Sequence, residues 1–432
     1  MVYWARIPLA CWGSLSLALC TWGFWHRLKT GANMKRPIIW LIPGVSLAVF
    51  ILISTLNPSF EVMQFYDTRV LRPITPIPWL PSSALPAQTL SEFWLYFVIY
   101  LTGYNVALNV SSLRRLRSLL IILAINAVVI AVFGTLQKLS GTEMFFGLQK
   151  SPNPTFFGPF IYHNHWGAYA CMSLSLCLGA AVWLSRHDSG RGFWHSPALL
   201  ALIGAVLIVV AVPLSTSRSS TIMVILLALI VALFEMWRIR QKSRLSKQNP
   251  YAQSIALALA LIVTLAATFA LSAPVISQRI AKTREQISAM EQVGILGERG
   301  IIYQETLAMF QNKPWAGWGL ESWELMFRRT TQLTNRGDKF TIHYIDAHSD
   351  WLQSLAEIGA IGTGLLLAMG VVPLWSTRKA LIGDRTVTYL LIGNGAVLAY
   401  AWVEFPLANP AVVLIFWIHF FATLRYAQIL RS

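Results

Sequence analysis

Apolar runs long enough to cross a lipid bilayer recur along almost the whole chain, and nothing else in it restricts the fold so strongly. They cover about 2–25, 37–55, 92–110, 118–137, 165–184, 197–214, 219–237, 252–273, 351–374, 387–403 and 410–426. A hydrocarbon layer of about 30 Å is crossed at about 1.5 Å per residue, so a spanning helix needs roughly 20 apolar residues. No water is available there to the backbone, so a single such run must close its hydrogen bonds internally as a helix. Composition agrees: 56% of residues are hydrophobic and only 12% charged, against about 25% charged in soluble domains. Mean hydropathy is +0.56, and the 18 tryptophans suit the membrane–water interface. The expectation is an all-α polytopic membrane protein of about eleven transmembrane helices. Val2–Trp25 is too long for a signal-peptide core and lacks a basic start, so it reads as a retained first helix.

A net charge of +16 would ordinarily raise nucleic acid as a partner. The positions of the charges argue against it. One set of alternate connections holds Arg27, Lys29, Lys35 and Arg36; Arg114, Arg115 and Arg117; Arg186 and Arg191. It continues with Arg238, Arg240, Lys242, Arg244 and Lys247; Arg378, Lys379 and Arg385; Arg425 and Arg431. Outside one long loop, 274–350, the other side carries only Arg6, Arg69, Arg72, Lys138, Lys150 and Arg218. This is the positive-inside pattern. It places the N-terminus outside the cytoplasm, the C-terminus inside, and the long loop outside.

The chain therefore divides into transmembrane helices 1–8 (1–273), an outer loop with amphipathic helices (274–350) and transmembrane helices 9–11 (351–432). In the loop, Ile276–Gln292 reads as a helix lying on the membrane surface. Gly297–Gly300 breaks it, Ile301–Phe310 forms a second helix, and Lys313–Gly319 is turn-rich and aromatic. The other outer loop, 56–91, contains Pro58, Pro73, Pro76, Pro78, Pro81 and Pro86 and is expected to be extended. Cys11, Cys20, Cys171 and Cys177 all lie in apolar runs as small hydrophobes, with no zinc or disulfide spacing.

Four outer-face features put polar or ionisable groups at the membrane edge, where such groups are costly. His163-Asn164-His165-Trp166 opens the fifth helix; the trio could bind sugar hydroxyls, or simply cap a helix. Ser217-Arg218-Ser219-Ser220 forms the tight turn between helices six and seven. A guanidinium among hydroxyls suits phosphate, whereas the plainer reading is an arginine snorkelling to headgroups. Arg299 with Tyr303 begins a helix in the long loop, where a lone arginine is usually solvated surface. Asp346-Ala347-His348-Ser349-Asp350 leads into the ninth helix with His343 nearby. A histidine beside a carboxylate can accept a proton near neutral pH. A metal site built from His343, Asp346, His348 and Asp350 is the rival, but the spacing follows no standard ligand pattern. Glu357, Gly359, Gly362 and Gly364 read as packing features.

Taken in order, these segments resemble the O-antigen ligase/polymerase superfamily. The matching stretches are Pro159-Phe160 with Asn164-His165-Trp166-Gly167, Ser217-Arg218-Ser219, Arg299 followed by Pro314 to Gly319, and Ala347 to Gln353 with Glu357 to Gly362. The resemblance covers roughly 120–405. Ser349 stands where the family often has asparagine, Ser219-Ser220 where glycine is common, and members often have one helix more.

The resemblance implies an inverting membrane glycosyltransferase of GT-C-like architecture in a bacterial inner membrane, working on the periplasmic face. An undecaprenyl-diphosphate-linked glycan would be the donor, and a glycan or lipid A-core the acceptor. Polysaccharide-export components are further partners, and no cofactor or metal is implied. His348 would be the base, or would orient the acceptor, with Asp350 supporting it. Arg218 and Arg299 would clamp the diphosphate, and His163, Asn164, His165, Tyr303 and His343 would contact glycan or acceptor. Ligase and polymerase remain open. A transporter of inorganic carbon or a lipid-linked substrate would instead need ionisable groups near the midplane. Helices six to eight are almost purely apolar. A scaffold for glycan export would leave His348 and Arg218 dispensable.

Overall fold

A computed structural model describes residues 2–65, 68–186, 195–246, 266, 298–330 and 344–431. Its helices are α1 (Val2–Lys29), α2 (Lys35–Leu56), α3 (Pro86–Asn109), α4 (Leu113–Leu139), α5 (His163–Arg186), α6 (Pro197–Leu214) and α7 (Arg218–Ser246). They continue with α8 (Glu298–Asn312), α9 (Trp323–Thr330), α10 (Asp350–Leu381), α11 (Arg385–Tyr400) and α12 (Pro410–Ile429). Among the described residues 7 helices are long and apolar enough to cross a membrane: α2, α4, α5, α6, α7, α10 and α12. Helices α1, α3 and α11 occupy three further expected spans without meeting that measure. The span expected at 252–273 and the surface helix expected at 276–292 lie outside the described residues. The protein is a helical, multi-pass membrane protein with no closed sheet among the described residues.

The chain forms two compact units. The first comprises 1–110, 295–380 and 401–428; the second 111–294, 381–400 and 429–432. In the first unit the apolar centre is aromatic. Tyr100 meets Trp417 edge-on at 5.0 Å, and Phe421 packs on Tyr100 and Tyr104 at 5.7 and 5.8 Å. In the second, α5 is the central helix, with 89% of its apolar window buried. Its run of Gly, Ala, Ser and Cys permits close packing by α4, α6, α7 and α11, as small residues do between membrane helices.

The proline-rich loop 56–91 is more ordered than its composition suggests. It forms an antiparallel hairpin of β1 (Phe60–Phe65) and β2 (Thr68–Pro73). The following stretch is gathered by Asn57, whose amide donates to Ile77, Leu80 and Pro81 carbonyls and accepts from the Ile77 N–H. Phe60 and Leu71 from the hairpin pack with Ile302, Met309, Trp323 and Phe327, giving the outer part of this unit its own small core. A second, very short hairpin pairs β3 (Met144–Phe145) with β4 (Gln149–Lys150).

Helix α10 is broken at Gly359, whose backbone sits at φ 63°, ψ −172°, a conformation open essentially to glycine alone. The break frees backbone groups that the 314–319 loop then satisfies. Trp318 and Gly319 N–H donate to the Ala356 and Glu357 carbonyls, while Ala360 and Ile361 N–H donate to Pro314 and Trp315. The two strands of chain are so close that a Cβ on Gly317 would lie 2.4 Å from the Glu357 carbonyl, and one on Gly359 2.4 Å from that of Trp315. Glu357 itself is buried and accepts from the Trp323 N–H and the Gln353 amide. The reading of Glu357, Gly359 and Gly362 as packing features matches this arrangement, whereas at Gly364 a Cβ would meet nothing within 4 Å.

Candidate active site

In the first unit, α8, the start of α10 and the α11–α12 connection bring together His348, Arg299, Tyr303 and a residue that sequence reasoning left aside, Glu404. The Glu404 carboxylate is 1% exposed and lies 2.6 Å from the Arg299 Nη2 and 4.0 Å from the His348 Nδ1. Arg299 also donates from Nη1 to the Val403 carbonyl at 3.1 Å. A carboxylate this deep is tolerated because a cation meets it, here from an arginine that is itself half-exposed.

His348 is held in an uncommon backbone state, φ 54°. For a residue with a Cβ this costs about 1–3 kcal/mol and persists only where surrounding contacts enforce it. Those contacts are present. The Tyr303 hydroxyl donates to the His348 carbonyl at 2.9 Å, and the Phe405 ring meets the imidazole edge-on at 5.0 Å. On either side, the Ala347 N–H donates to Gln353 and the Ser349 hydroxyl to the Ala401 carbonyl. His348 Nδ1 is buried and makes no hydrogen bond; 4.0 Å from Glu404 is too long for one. The imidazole is thus fixed in place, with Glu404 as its nearest counter-charge should it take up a proton.

Asp350 does something different. Its buried carboxylate accepts from the Leu407 N–H at 2.8 Å, and its own N–H donates to the Glu404 carbonyl at 3.3 Å. It ties the turn carrying Glu404 to the start of α10. Asp346 is half-buried, and burial is the main cause that pushes its carboxyl up to about 6; Glu321 adds to the shift and His348 opposes it. Burial and Glu324 likewise raise Glu321, and burial raises the Tyr303 phenol. His343 lies outside the described residues.

In the second unit the predicted residues of α5 and the α6–α7 turn form a hydroxyl network. The Asn164 amide donates to the Tyr162 hydroxyl at 2.8 Å, and its oxygen accepts from Ser217. Ser217 and Ser220 hydroxyls are 2.6 Å apart, and the Tyr400 hydroxyl contacts Ser220 at 2.8 Å and Ser219 at 3.0 Å. The close approach requires Gly167, where a Cβ would collide with Ser220. Asn164 therefore braces the turn, and its amide is committed to protein partners. His163 Nδ1 pairs with the Thr155 hydroxyl at 2.6 Å, while Tyr162 stacks on His163 and meets His165 edge-on. The network fixes Arg218, exposed, as the first residue of α7. A cation at a helix N-terminus opposes the helix dipole. An anion bound there would be favoured by both the guanidinium and the helix dipole.

Glu404 could have been noticed from sequence. It is an acid between two apolar helices, immediately before Phe405-Pro406. Its partners are remote, Arg299 being 105 residues away, so only the fold reveals the cluster. Among the described residues no three His, Cys, Asp or Glu side chains converge as metal ligands would.

No curated protein matches the chain. Residues 203–367 match the family model described as O-antigen ligase, a stretch that contains Arg218, Arg299, Tyr303, His348 and Asp350, and this match supports the resemblance to the O-antigen ligase/polymerase superfamily.

Proposed function

We propose that the protein is a glycan transferase of the periplasmic membrane face that moves an undecaprenyl-diphosphate-linked glycan onto an acceptor hydroxyl, on lipid A-core or on a growing polysaccharide. The observation that carries this reading is the Arg299–Glu404–His348 cluster: one buried carboxylate holds a cation on one side and faces a strained, immobilised histidine on the other. The family match supports glycan transfer at the level of the family.

The acceptor hydroxyl transfers its proton to His348 as its oxygen bonds to the anomeric carbon. The bond from that carbon to the diphosphate oxygen breaks, with inversion. Glu404 stabilises the resulting imidazolium, and the arginines take up the negative charge that develops on the diphosphate. Arg299 serves this role from its half-exposed position beside Glu404. Arg218 is assigned to it on the resemblance, and its place at the α7 N-terminus suits an anion. Asp350 acts as a positioning residue through the Glu404 turn. His163, His165, Tyr303 and His343 would contact glycan or acceptor. With two arginines taking the diphosphate charge, no divalent cation is required.

The test is transfer by the purified full-length protein, with a lipid-diphosphate glycan and an acceptor in the presence of a chelator. Transfer is expected to proceed, and to fall by about 100-fold or more in Arg299→Ala and Glu404→Gln, the scale of a lost charge-stabilising or acid–base group. Undiminished transfer in both variants would remove the cluster from the reaction.

A further inference from the structure

A second charged site lies in the first unit, at the end of the bundle where the basic α1–α2 connection runs. A cavity of 280 Å³ opens there, and its lining includes Arg27, Arg36 and Arg425 together with Trp40, Tyr104 and Leu108. The guanidiniums come from three helices, α1, α2 and α12. Among the described residues none of the three pairs with a carboxylate.

Part of this arrangement is structural. Arg27 donates from Nε and Nη2 to the Leu108 carbonyl at 3.2 and 3.0 Å, and Arg425 from Nε to that of Val110 at 2.7 Å. These bonds cap the C-terminus of α3, where cations are favoured. Capping does not account for the rest. A guanidinium carries five N–H donors, and Arg27 spends two; Arg425 spends one on Val110 and one on Gln428. Arg36 caps nothing and is exposed. Three like charges therefore face one cavity with donors to spare. The polar atoms of its aromatic lining residues are already committed, the Trp40 indole N–H to Ser376 and the Tyr104 hydroxyl to the Pro37 carbonyl. Three guanidiniums lining one cavity beside apolar and aromatic side chains fit a phosphate group, and basic pockets of this kind between membrane helices hold anionic headgroups.

We propose that this cavity is a phosphate-binding site, clamped by Arg27, Arg36 and Arg425, whose ligand is either the headgroup of an anionic phospholipid or a soluble phosphate compound. It is independent of the glycan-transfer cluster described above.

The melting temperature of the full-length protein in neutral detergent tests it, with phosphatidylglycerol, phosphatidylethanolamine, glycerol 3-phosphate and inorganic phosphate added separately. Phosphatidylglycerol is expected to raise the melting temperature by several degrees. Arg36→Glu is the informative variant, since Arg36 makes no capping bond, and it should lose most of that rise; Arg36→Gln stands in should the first variant not accumulate. Lys29→Glu changes net charge equally at a residue outside the cavity lining, and should retain the rise. A rise from phosphatidylglycerol alone identifies a lipid headgroup as the ligand. An Arg36-dependent rise from glycerol 3-phosphate or inorganic phosphate identifies a soluble one. No rise with any of them, or an equal rise in the wild type and the Arg36 variants, overturns the site.

Discussion

Glu404 sets the electrostatics of the candidate site, because its carboxylate lies 2.6 Å from Arg299 and 4.0 Å from His348. Truncating Arg299 takes the cation away from that buried carboxylate, whereas removing the charge on Glu404 as well relieves the penalty. Arg299→Ala should therefore cost about 1–3 kcal/mol of stability, less than for a fully buried pair because the guanidinium is half-exposed. Adding Glu404→Gln should recover part of it, a coupling of about 1–3 kcal/mol in a double-mutant cycle. Additive losses would mean that the pair does not form. Asp346 gives a pH signature. Its carboxyl is raised from 3.8 to about 6, so the folded protein binds that proton more tightly than the unfolded chain. The contribution is fully present below the unfolded value and is lost as pH rises through about 6. Asp346→Asn should flatten that part of the melting-temperature profile between about pH 4 and pH 6; an unchanged profile would contradict the assignment. At this scale the sequence was informative about His348, Arg299 and Tyr303, which are flagged by residue type and position. It showed Glu404 only as an acid near a helix end; the role of that residue lies in contacts with remote parts of the chain.

Among the elements, the broken α10 and the loop laced into it explain why one stretch carries Glu357, Gly359 and Gly362 while another carries Pro314, Gly317 and Gly319. Gly359→Ala places a side chain in a disallowed backbone region and 2.4 Å from the Trp315 carbonyl. It should destabilise by at least about 2 kcal/mol. Gly370→Ala in the same helix, where a Cβ would meet nothing within 4 Å, should be close to neutral. Equal melting temperatures for the two variants would refute the role given to the break. The spanning helices were legible because apolar length is a local property, and α8 because its periodicity is. The hairpin 60–73 was not: its proline content suggested only an extended loop, and its register depends on Phe60 and Leu71 reaching a core built by α8 and α9.

For the whole molecule, the basic loops predict which ends of the helices face the cytoplasm. A cysteine introduced at Thr142, in the α4–α5 connection, should react with a membrane-impermeant maleimide in intact spheroplasts. One at Gly383, between α10 and α11, should react only after lysis. The reverse pattern would invert the topology and move the candidate site to the cytoplasmic side. The central claim is that His348 takes part in moving a lipid-linked glycan, and it is tested most directly in the native host. With His348→Ala present at normal membrane levels, surface glycan should be lost and undecaprenyl-diphosphate-linked oligosaccharide should accumulate. The length of the accumulated chains would then separate a ligase, which leaves finished polymers, from a polymerase, which leaves single repeat units. Normal surface glycan with normal intermediates would contradict the account.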